Sequence, residues 1–491
     1  MQLKTLAGAI PVRQVIGPLD RAVESIAYDS RRVQRNGLFV ALRGEKNDGH
    51  EFIGQAIENG ASVIVAEREE KNPRATCLLV ENTRTALADL AATFYGLPAR
   101  RLKLAAVTGT NGKTTTTFLI KHICEKAGLR CGLIGTVRYE IGERVLPAAR
   151  TTPESLDLQE LLAQIANAGC RAAAMEVSSH ALTQERVRGL EWDVAVFTNL
   201  TQDHLDYHGT MENYFESKAK LFAQLAQQKK RKPIAVVNMD DHYGEQLLDK
   251  IDTKISVITF GMGVRADFRA SNYRMEFGGT SYQLDARGKS YLVRLPLIGR
   301  FNVANSMAAL AAANALGLNL REAVLSLGKS PQVPGRLEMV PAKRKFQVFV
   351  DYAHTPDALL IVLKTLRQLE PGRVIVVFGC GGDRDRQKRP LMGRIADQNA
   401  DYSIITSDNP RKEDPNAIIS EIEKGFGSDC YEKVTGRAEA IVRAIAVAQP
   451  RDIILIAGKG HETYQEFADH TVPFDDIQVA RRAIEDRPVE F

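Results

Sequence analysis

An apolar run from Leu102 to Val107 leads into Thr108-Gly109-Thr110-Asn111-Gly112-Lys113-Thr114-Thr115, and Phe118-Leu119-Ile120 follow at helical spacing. No other stretch restricts the fold as much. A strand, a glycine turn and a helix start, in that order, cradle a polyphosphate. The glycines let backbone N–H groups point at phosphate oxygens, and the helix N-terminus adds its positive end. In such a loop Lys113 reaches the outer phosphates, and Thr114 or Thr115 holds magnesium. The general pattern G-x-x-x-x-G-K-[ST] is incomplete, because it asks for glycine where this chain has Val107. On this stretch alone an ordinary glycine-rich turn stays open.

The surrounding sequence has the rhythm of an α/β protein. With 491 residues, the length predicts about three domains, each able to bury its own core. Lys+Arg 65 against Asp+Glu 60 leaves a formal charge of only +5. The densest basic run, Lys229-Lys230-Arg231-Lys232, lacks interleaved aromatics and reads as a solvated turn, so no nucleic-acid partner is expected. The six cysteines show neither C-x-x-C nor zinc-like spacing and read as small core residues in a reducing compartment. Without a leader-like apolar segment or a long uncharged apolar window, the chain is expected to be cytoplasmic with no membrane span.

Residues 1–100 alternate short strands with helices and contain the polar cluster Tyr28-Asp29-Ser30-Arg31-Arg32, a turn or a small-ligand contact. Residues 101–333 hold the phosphate loop. There, Cys170–Val177 is an almost continuous apolar run ending in Glu176, the pattern of a parallel strand buried on both faces. A carboxylate at that end is where α/β sheets bind ligands, so Glu176 is expected to contact magnesium directly or through water. Asp203-His204-Leu205-Asp206-Tyr207-His208 reads either as a metal centre or as a hydrogen-bonded loop. The stretch from Ile255 to Leu297 reads as strand-rich and antiparallel. Asn302 and Asn305 share one side of a helix's first turn, as caps or as contacts to a purine edge. In residues 334–491, four apolar strands end in polar loops at Asp351, Gly379, Ser407 and Gly458. That is a doubly wound, Rossmann-like sheet with its ligand edge marked four times. Arginine beside asparagine and aspartate in two of those loops suits a ligand with both charges, such as an amino acid.

GTNGKTT, EVSSH at 176–180, TNLTQDHLDYHG at 198–209, GRFNVANSMAA at 299–309, PGRLE and DYAHTPDAL occur together and in order. In that combination the chain resembles the Mur ligase family over nearly its whole length. YDSR near the N-terminus and DNPR at 408–411 make it similar to those members that add meso-2,6-diaminopimelate to UDP-N-acetylmuramoyl-L-alanyl-D-glutamate in cytoplasmic peptidoglycan precursor synthesis. GTNGKTT is that family's own form of the phosphate loop.

The resemblance implies a small UDP-sugar domain (1–100), a central ATP-binding P-loop domain (101–333) and an amino-acid-binding domain (334–491). It implies that Gly109, Thr110, Asn111, Gly112, Lys113, Thr114 and Thr115 bind the ATP phosphates. Asn302, Asn305, Arg336 and Asp351 match nucleotide-contacting positions. Thr114, Glu176 and His204 surround magnesium, and Lys218 matches the lysine that the family carries as an N-carbamate formed with CO2 (N6-carboxylysine). His204 either takes part in catalysis or orients the phosphate-side carboxylates. Ser30, Thr151, Thr152, Ser178, Gln184 and Arg186 match positions holding the UDP-muramoyl dipeptide. Arg384, Asp408, Asn409, Pro410, Arg411, Gly458 and Glu462 match those holding diaminopimelate. Where some members carry His-Gln-Ala, this chain has Glu45-Lys46-Asn47, which puts uridine contacts there in doubt. A monomer is expected. The rivals are an L-lysine-adding member and a folylpolyglutamate synthetase-like ligase, which should lack YDSR and DNPR. A P-loop motor or switch would need a second motif that is absent.

Overall fold

The computed structural model describes residues 1–44, 47–70, 72, 74–229, 232–342 and 344–487, so Glu45 and Lys46, like Lys230 and Arg231, lie outside the described residues. The chain divides into two compact units: Met1–Ala266 with Ala308–Ala323, and Asp267–Met307 with the chain from Val324 onward.

The first unit contains two sheets. A five-stranded sheet runs in the order Val12–Ile16, Thr76–Val80, Ala61–Ala66, Gly37–Val40, Ser25–Ala27. All its pairs are parallel except the first. Its strands alternate faces as a pleat requires. Leu38, Val40, Val63, Val65, Leu78 and Val80 pack with Ala86, Leu87 and Leu90 of the helix Thr83–Phe94, while Phe39, Ala41, Ile64 and Cys77 pack with Ile53 and Ala56. Asn82 starts that helix by accepting the Arg84 and Thr85 amides.

In the second sheet, Lys103–Thr108 lies between Ala172–Glu176 and Val194–Phe197, parallel to both. Cys131–Ile134 extends one side, and Ile234–Asn238 then Ser256–Gly261 extend the other, all parallel. Leu104, Ala106, Ala173, Met175, Ala195, Phe197, Ala235 and Val237 bury one face under the helices Ser155–Asn167 and Met211–Gln227. The helix Lys113–Lys126 packs against the strands Cys131–Ile134 and Ala172–Glu176. Every parallel strand ends at one edge, so the phosphate loop, Glu176 and Thr198-Asn199 meet there.

The antiparallel expectation for Ile255–Leu297 needs correcting at its start: Ser256–Gly261 pairs parallel with Ile234–Asn238. Only Phe268–Glu276, Gly279–Ala286 and Lys289–Leu295, in the second unit, form the antiparallel meander. Side-chain alternation reports one buried face and is silent on strand direction.

The second unit's other sheet is ordered Glu338–Val340, Gln347–Asp351, Ile453–Ala457, Val374–Phe378, Tyr402–Ile405, Tyr431–Lys433, parallel except for its first pair. Phe349, Val376, Phe378, Ile405 and Leu455 face the helices Pro356–Arg367, Lys388–Asn399 and Pro415–Glu423. Val348, Val350, Ile375, Val377, Ile404 and Ile454 face Arg437–Val447 and Asp476–Asp486. The loops after 351, 378, 405 and 457 therefore share one edge. Among the described residues no helix is long and apolar enough to cross a membrane. Five cysteines are buried and Cys430 is exposed.

Candidate active site

The phosphate loop is laced to the loop after the neighbouring strand. Thr110 N–H donates to the Asn199 carbonyl (2.9 Å) and Asn111 N–H to Asn199 Oδ1 (2.9 Å). Thr198 Oγ1 donates to the Asn111 carbonyl (2.7 Å). That embrace demands glycine at 109. Its φ is 146°, and a Cβ there would sit 1.9 Å from Thr198 Oγ1. The loop opens directly into the helix Lys113–Lys126, whose first turn points its N–H groups and the positive dipole end toward the loop.

Two lysines converge on one carbonyl of this loop. Lys113 Nζ donates to the Gly109 carbonyl (2.9 Å) and the Thr110 carbonyl (2.8 Å), and Lys218 Nζ donates to the same Gly109 carbonyl (2.9 Å). Lys218 is 1% exposed and lies 4.6 Å from the centre of the Tyr214 ring. Burial first, then the charge of Lys113, hold its ammonium well below the ordinary lysine range. His204 belongs to the same neighbourhood. Desolvation, then the positive charges of His180, Lys113 and Lys218, lower its pKa against the pull of Asp203.

Glu176, the Cα partner of Val107, is 1% exposed at the end of its strand. Its Oε1 accepts Thr136 N–H (2.8 Å) and its Oε2 accepts Thr136 Oγ1 (3.0 Å). Thr136 Oγ1 lies 3.0 Å from Thr151 Oγ1, and Thr152 Oγ1 donates to the Glu176 carbonyl (2.8 Å). Ser178 N–H donates to Thr152 Oγ1 (3.1 Å), while Ser178 Oγ caps the helix Ser179–Thr183. Arg186 donates from Nη1 to the Thr152 carbonyl (3.0 Å) and from Nη2 to Gln184 Oε1 (2.6 Å). Glu154 lies 3.5 Å from both Arg186 and Arg84. Five of the six expected muramoyl-dipeptide residues thus form one network continuous with Glu176. Ser30 stands apart. Its Oγ donates to Gln55 Oε1 (2.7 Å), although Tyr28 of the same turn donates to Asp157 Oδ2 (2.5 Å) on the helix Ser155–Asn167.

The Asp203–His208 loop is held by hydrogen bonds and ring contacts. His208 Nε2 lies 2.9 Å from Ser179 Oγ, and its ring stacks on Tyr214 at 5.0 Å. Burial and the nearby cations take its pKa down to about 4. Among the described residues no three His, Cys, Asp or Glu side chains converge as a metal site, and the contacts of this stretch fit its reading as a hydrogen-bonded loop.

In the second unit, Asn305 Nδ2 donates to Asn302 Oδ1 (3.0 Å), and Asn302 Nδ2 donates to the Ile298 carbonyl (2.9 Å). They are a buried pair along the helix and do not cap it. Asp351 accepts the amides of Leu337 (2.6 Å) and Ala353 (2.8 Å). Burial raises its carboxyl to about 6 against the opposing charge of Arg336, whose guanidinium lies 4.8 Å from the Tyr352 ring centre.

The loops after the parallel strands gather the remaining residues. A Cβ on Gly381 would lie 3.0 Å from Arg411 Nη1 and 3.8 Å from both Arg384 Cγ and the Asn409 carbonyl, so these three line one spot. Asn409 accepts Lys459 Nζ (3.0 Å) at Oδ1 and donates to Glu462 Oε2 (3.0 Å). Asp408 Oδ1 accepts the Asn409 amide (2.8 Å), whereas its Oδ2 is buried with no partner. Gly458, at φ 114°, leaves room beside that oxygen, since a Cβ there would approach it to 2.6 Å. Pro410 contributes backbone, its carbonyl packed against Gly382. The fully buried Lys459, absent from the sequence reading, joins Asn409 to Glu462. Thr136, Thr198, Asn199 and Tyr214 were likewise missed, although the last three stand inside or beside quoted motifs.

The family description "Mur ligase middle domain" matches residues 107–313, "Mur ligase, glutamate ligase domain" matches 335–460, and "Mur ligase family, catalytic domain" matches 22–95. The UDP-N-acetylmuramoyl-L-alanyl-D-glutamate--2,6-diaminopimelate ligase of Geobacillus kaustophilus is 48% identical over 99% of this chain and 100% of its own. A solved structure of a UDP-N-acetylmuramoyl-L-alanyl-D-glutamate--2,6-diaminopimelate ligase is 34% identical, with a TM-score of 0.72 over 99% of both chains. A folylpolyglutamate synthase of Mycobacterium tuberculosis, complexed with ADP and AMPPCP, is 21% identical, with a TM-score of 0.65 over 82% of this chain and 96% of its own. That likeness shows the fold.

Proposed function

The chain belongs to the Mur ligase family, and from that premise we propose that it joins meso-2,6-diaminopimelate to the D-Glu γ-carboxylate of UDP-N-acetylmuramoyl-L-alanyl-D-glutamate at the expense of ATP. The observation that carries the choice of amino acid is the gathering of Arg384, Asn409 and Arg411 around Gly381. The Arg411 guanidinium, with the Arg384 side chain starting beside it, suits a ligand with a second carboxylate, which lysine lacks, and the unpartnered Asp408 Oδ2 suits an ammonium.

A carboxylate and an amine do not condense in water, so the carboxylate must be activated. ATP transfers its γ-phosphoryl to the D-Glu carboxylate, giving an acyl phosphate and ADP. The amine of diaminopimelate then attacks the acyl carbon, and the tetrahedral intermediate expels phosphate to leave the amide. Gly109–Thr115 hold the phosphates through backbone N–H groups and the helix end, and Lys113 screens the charge between two anionic reactants. Thr151, Thr152, Ser178, Gln184 and Arg186 position the dipeptide in register with Glu176, and Ser30 belongs to the UDP-sugar end. Asn302, Asn305, Arg336 and Asp351 are assigned to the nucleotide.

The donors present suit magnesium, which takes hard oxygen ligands. Thr114 offers a hydroxyl. Glu176 spends two of about four acceptor sites on Thr136 and keeps the rest. The Lys218 amine supplies no oxygen until CO2 adds to it, with loss of a proton, to give a carbamate. Its lowered pKa favours the neutral amine that this addition requires. The His204 nitrogen suits magnesium less well, so His204 is assigned to orienting the phosphate-side groups. Bound magnesium would neutralise phosphate charge during transfer. The three-domain division at 1–100, 101–333 and 334–491, a monomeric state and a cytoplasmic location complete the proposal.

The test is phosphate release measured with UDP-muramoyl dipeptide, meso-diaminopimelate, ATP and magnesium, omitting one at a time, with the product weighed by mass spectrometry. The expected result is release only in the full mixture and a UDP-muramoyl tripeptide. Release that proceeds without the amino acid, or only with a folate substrate, would overturn it.

A further inference from the structure

Arg411 is fixed on three sides before any ligand arrives. Its backbone sits at φ 51°, and its N–H donates to the Glu466 carbonyl (3.0 Å). Its side chain donates from Nε to Glu466 Oε2 (2.9 Å) and from Nη1 to the Gly382 carbonyl (2.8 Å). Among the described residues, Nη2 has no bond.

Both partners are themselves held. Glu466 donates its N–H to Asn409 Oδ1 (3.0 Å) and lies on the strand Tyr464–Glu466, paired with Thr471–Pro473. On the other side, the fully buried Arg389 grips Glu413 through both Nη atoms (2.8 and 2.9 Å) and donates to the Gly381 carbonyl (3.2 Å). Glu413 in turn accepts the Asp383 amide (2.6 Å), so the 381–383 turn that carries the Gly382 carbonyl is pinned to the segment following Arg411.

From this clamp we infer that Glu466 is a positioning residue that sets the guanidinium plane of Arg411, turning its Nη2 edge toward the distal carboxylate of the incoming diamino acid. A free arginine side chain loses rotamer entropy when it grips a ligand, and a preset plane removes most of that loss at the moment of binding. A bidentate grip needs both donors coplanar with the carboxylate. Glu466 therefore acts on recognition of the second carboxylate and leaves the phosphoryl chemistry alone. The inference rests on the assignment of Arg411 to diaminopimelate.

A double-mutant cycle tests it, with steady-state kinetics on Glu466→Gln, Arg411→Ala and the pair. Glu466→Gln keeps size and hydrogen-bonding capacity but removes the charge from a half-exposed side chain. It is expected to raise KM for diaminopimelate about tenfold, the loss of one charge-assisted hydrogen bond, with kcat and the KM for ATP within about twofold. Once Arg411 is alanine, Glu466→Gln should add nothing. If Arg411→Ala raises that KM while Glu466→Gln does not, or if the two effects multiply, the positioning role is overturned and the site assignment stands. If Arg411→Ala leaves KM for diaminopimelate unchanged, the site assignment falls and the inference with it.

Discussion

Lys218 offers the sharpest test of the phosphate side of the site. Its Nζ and that of Lys113 donate to one carbonyl at 2.9 Å each, so the two nitrogens are close neighbours in a setting where Lys218 is 1% exposed. At an effective dielectric of about 20, like charges about 5 Å apart repel by ~3 kcal/mol, and a carbamate on Lys218 would reverse the sign of that interaction. The carbamate is then favoured over the ammonium by roughly 6 kcal/mol through Lys113 alone, and over the neutral amine by ~3 kcal/mol. The second figure is about a hundredfold in occupancy relative to an exposed lysine, less the desolvation that a buried anion suffers. Lys218→Arg fixes a cation there that cannot deprotonate, and is expected to lower kcat at least ~100-fold. Wild-type enzyme dialysed free of CO2 should lose activity and recover it with bicarbonate, while a carbamate carbon appears in 13C NMR with labelled bicarbonate. An enzyme indifferent to CO2, without the NMR signal, and a Lys218→Arg variant within threefold of wild type would refute the reasoning.

His208 bears on pH. Its folded pKa of about 4 lies below the ordinary 6.5, so its contribution to stability is complete above about pH 6.5 and is lost as pH falls through 4. Urea unfolding at pH 7.5 and 4.5 should show wild type losing more stability than His208→Gln, by on the order of 1 kcal/mol once solvent screening is allowed for. The fully buried pair Arg437 and Asp476, joined at 2.8 and 2.7 Å, ties the helix Asp476–Asp486 to the Ala457 carbonyl beside the ligand edge. Asp476→Ala strands a buried cation and should cost about 3–5 kcal/mol, or ~6–20 °C in Tm for a unit of about 200 residues. Calorimetry reads it, and an apolar Arg437→Met/Asp476→Leu pair should recover much of the loss.

The architecture was legible because parallel strands buried on both faces leave continuous apolar runs, and their ends are marked by a change to glycine and polar residues. Ala172–Glu176, Val374–Phe378 and Ile453–Ala457 all declared themselves this way. The glycines of the phosphate loop suggested its role, but with Val107 in place of a glycine only the family's motifs told it from an ordinary turn. The roles proposed for Ser178, Asn302 and Arg411 could not be read from the residues themselves, and rest on the family's motifs. What escaped was pairing across the chain. Thr136 serves Glu176 from 40 residues away, Lys459 serves Asn409 from 50, and Arg389 and Arg437 are entirely buried although a sequence gives no sign that Glu413 and Glu421 wait for the one and Asp476 for the other. Ser256–Gly261 was grouped with the wrong strands for a related reason, since strand direction lies in the backbone hydrogen bonds.

The central claim is that the Arg384–Arg411 loops select an amino acid with a second carboxylate. Parallel phosphate-release assays with UDP-muramoyl dipeptide and meso-diaminopimelate, L-lysine or L-ornithine address it most directly. The account predicts turnover with diaminopimelate and a kcat/KM at least ~100-fold lower for the two monocarboxylates, about 3 kcal/mol for one lost charge-assisted grip. Equal or better turnover with L-lysine would contradict it.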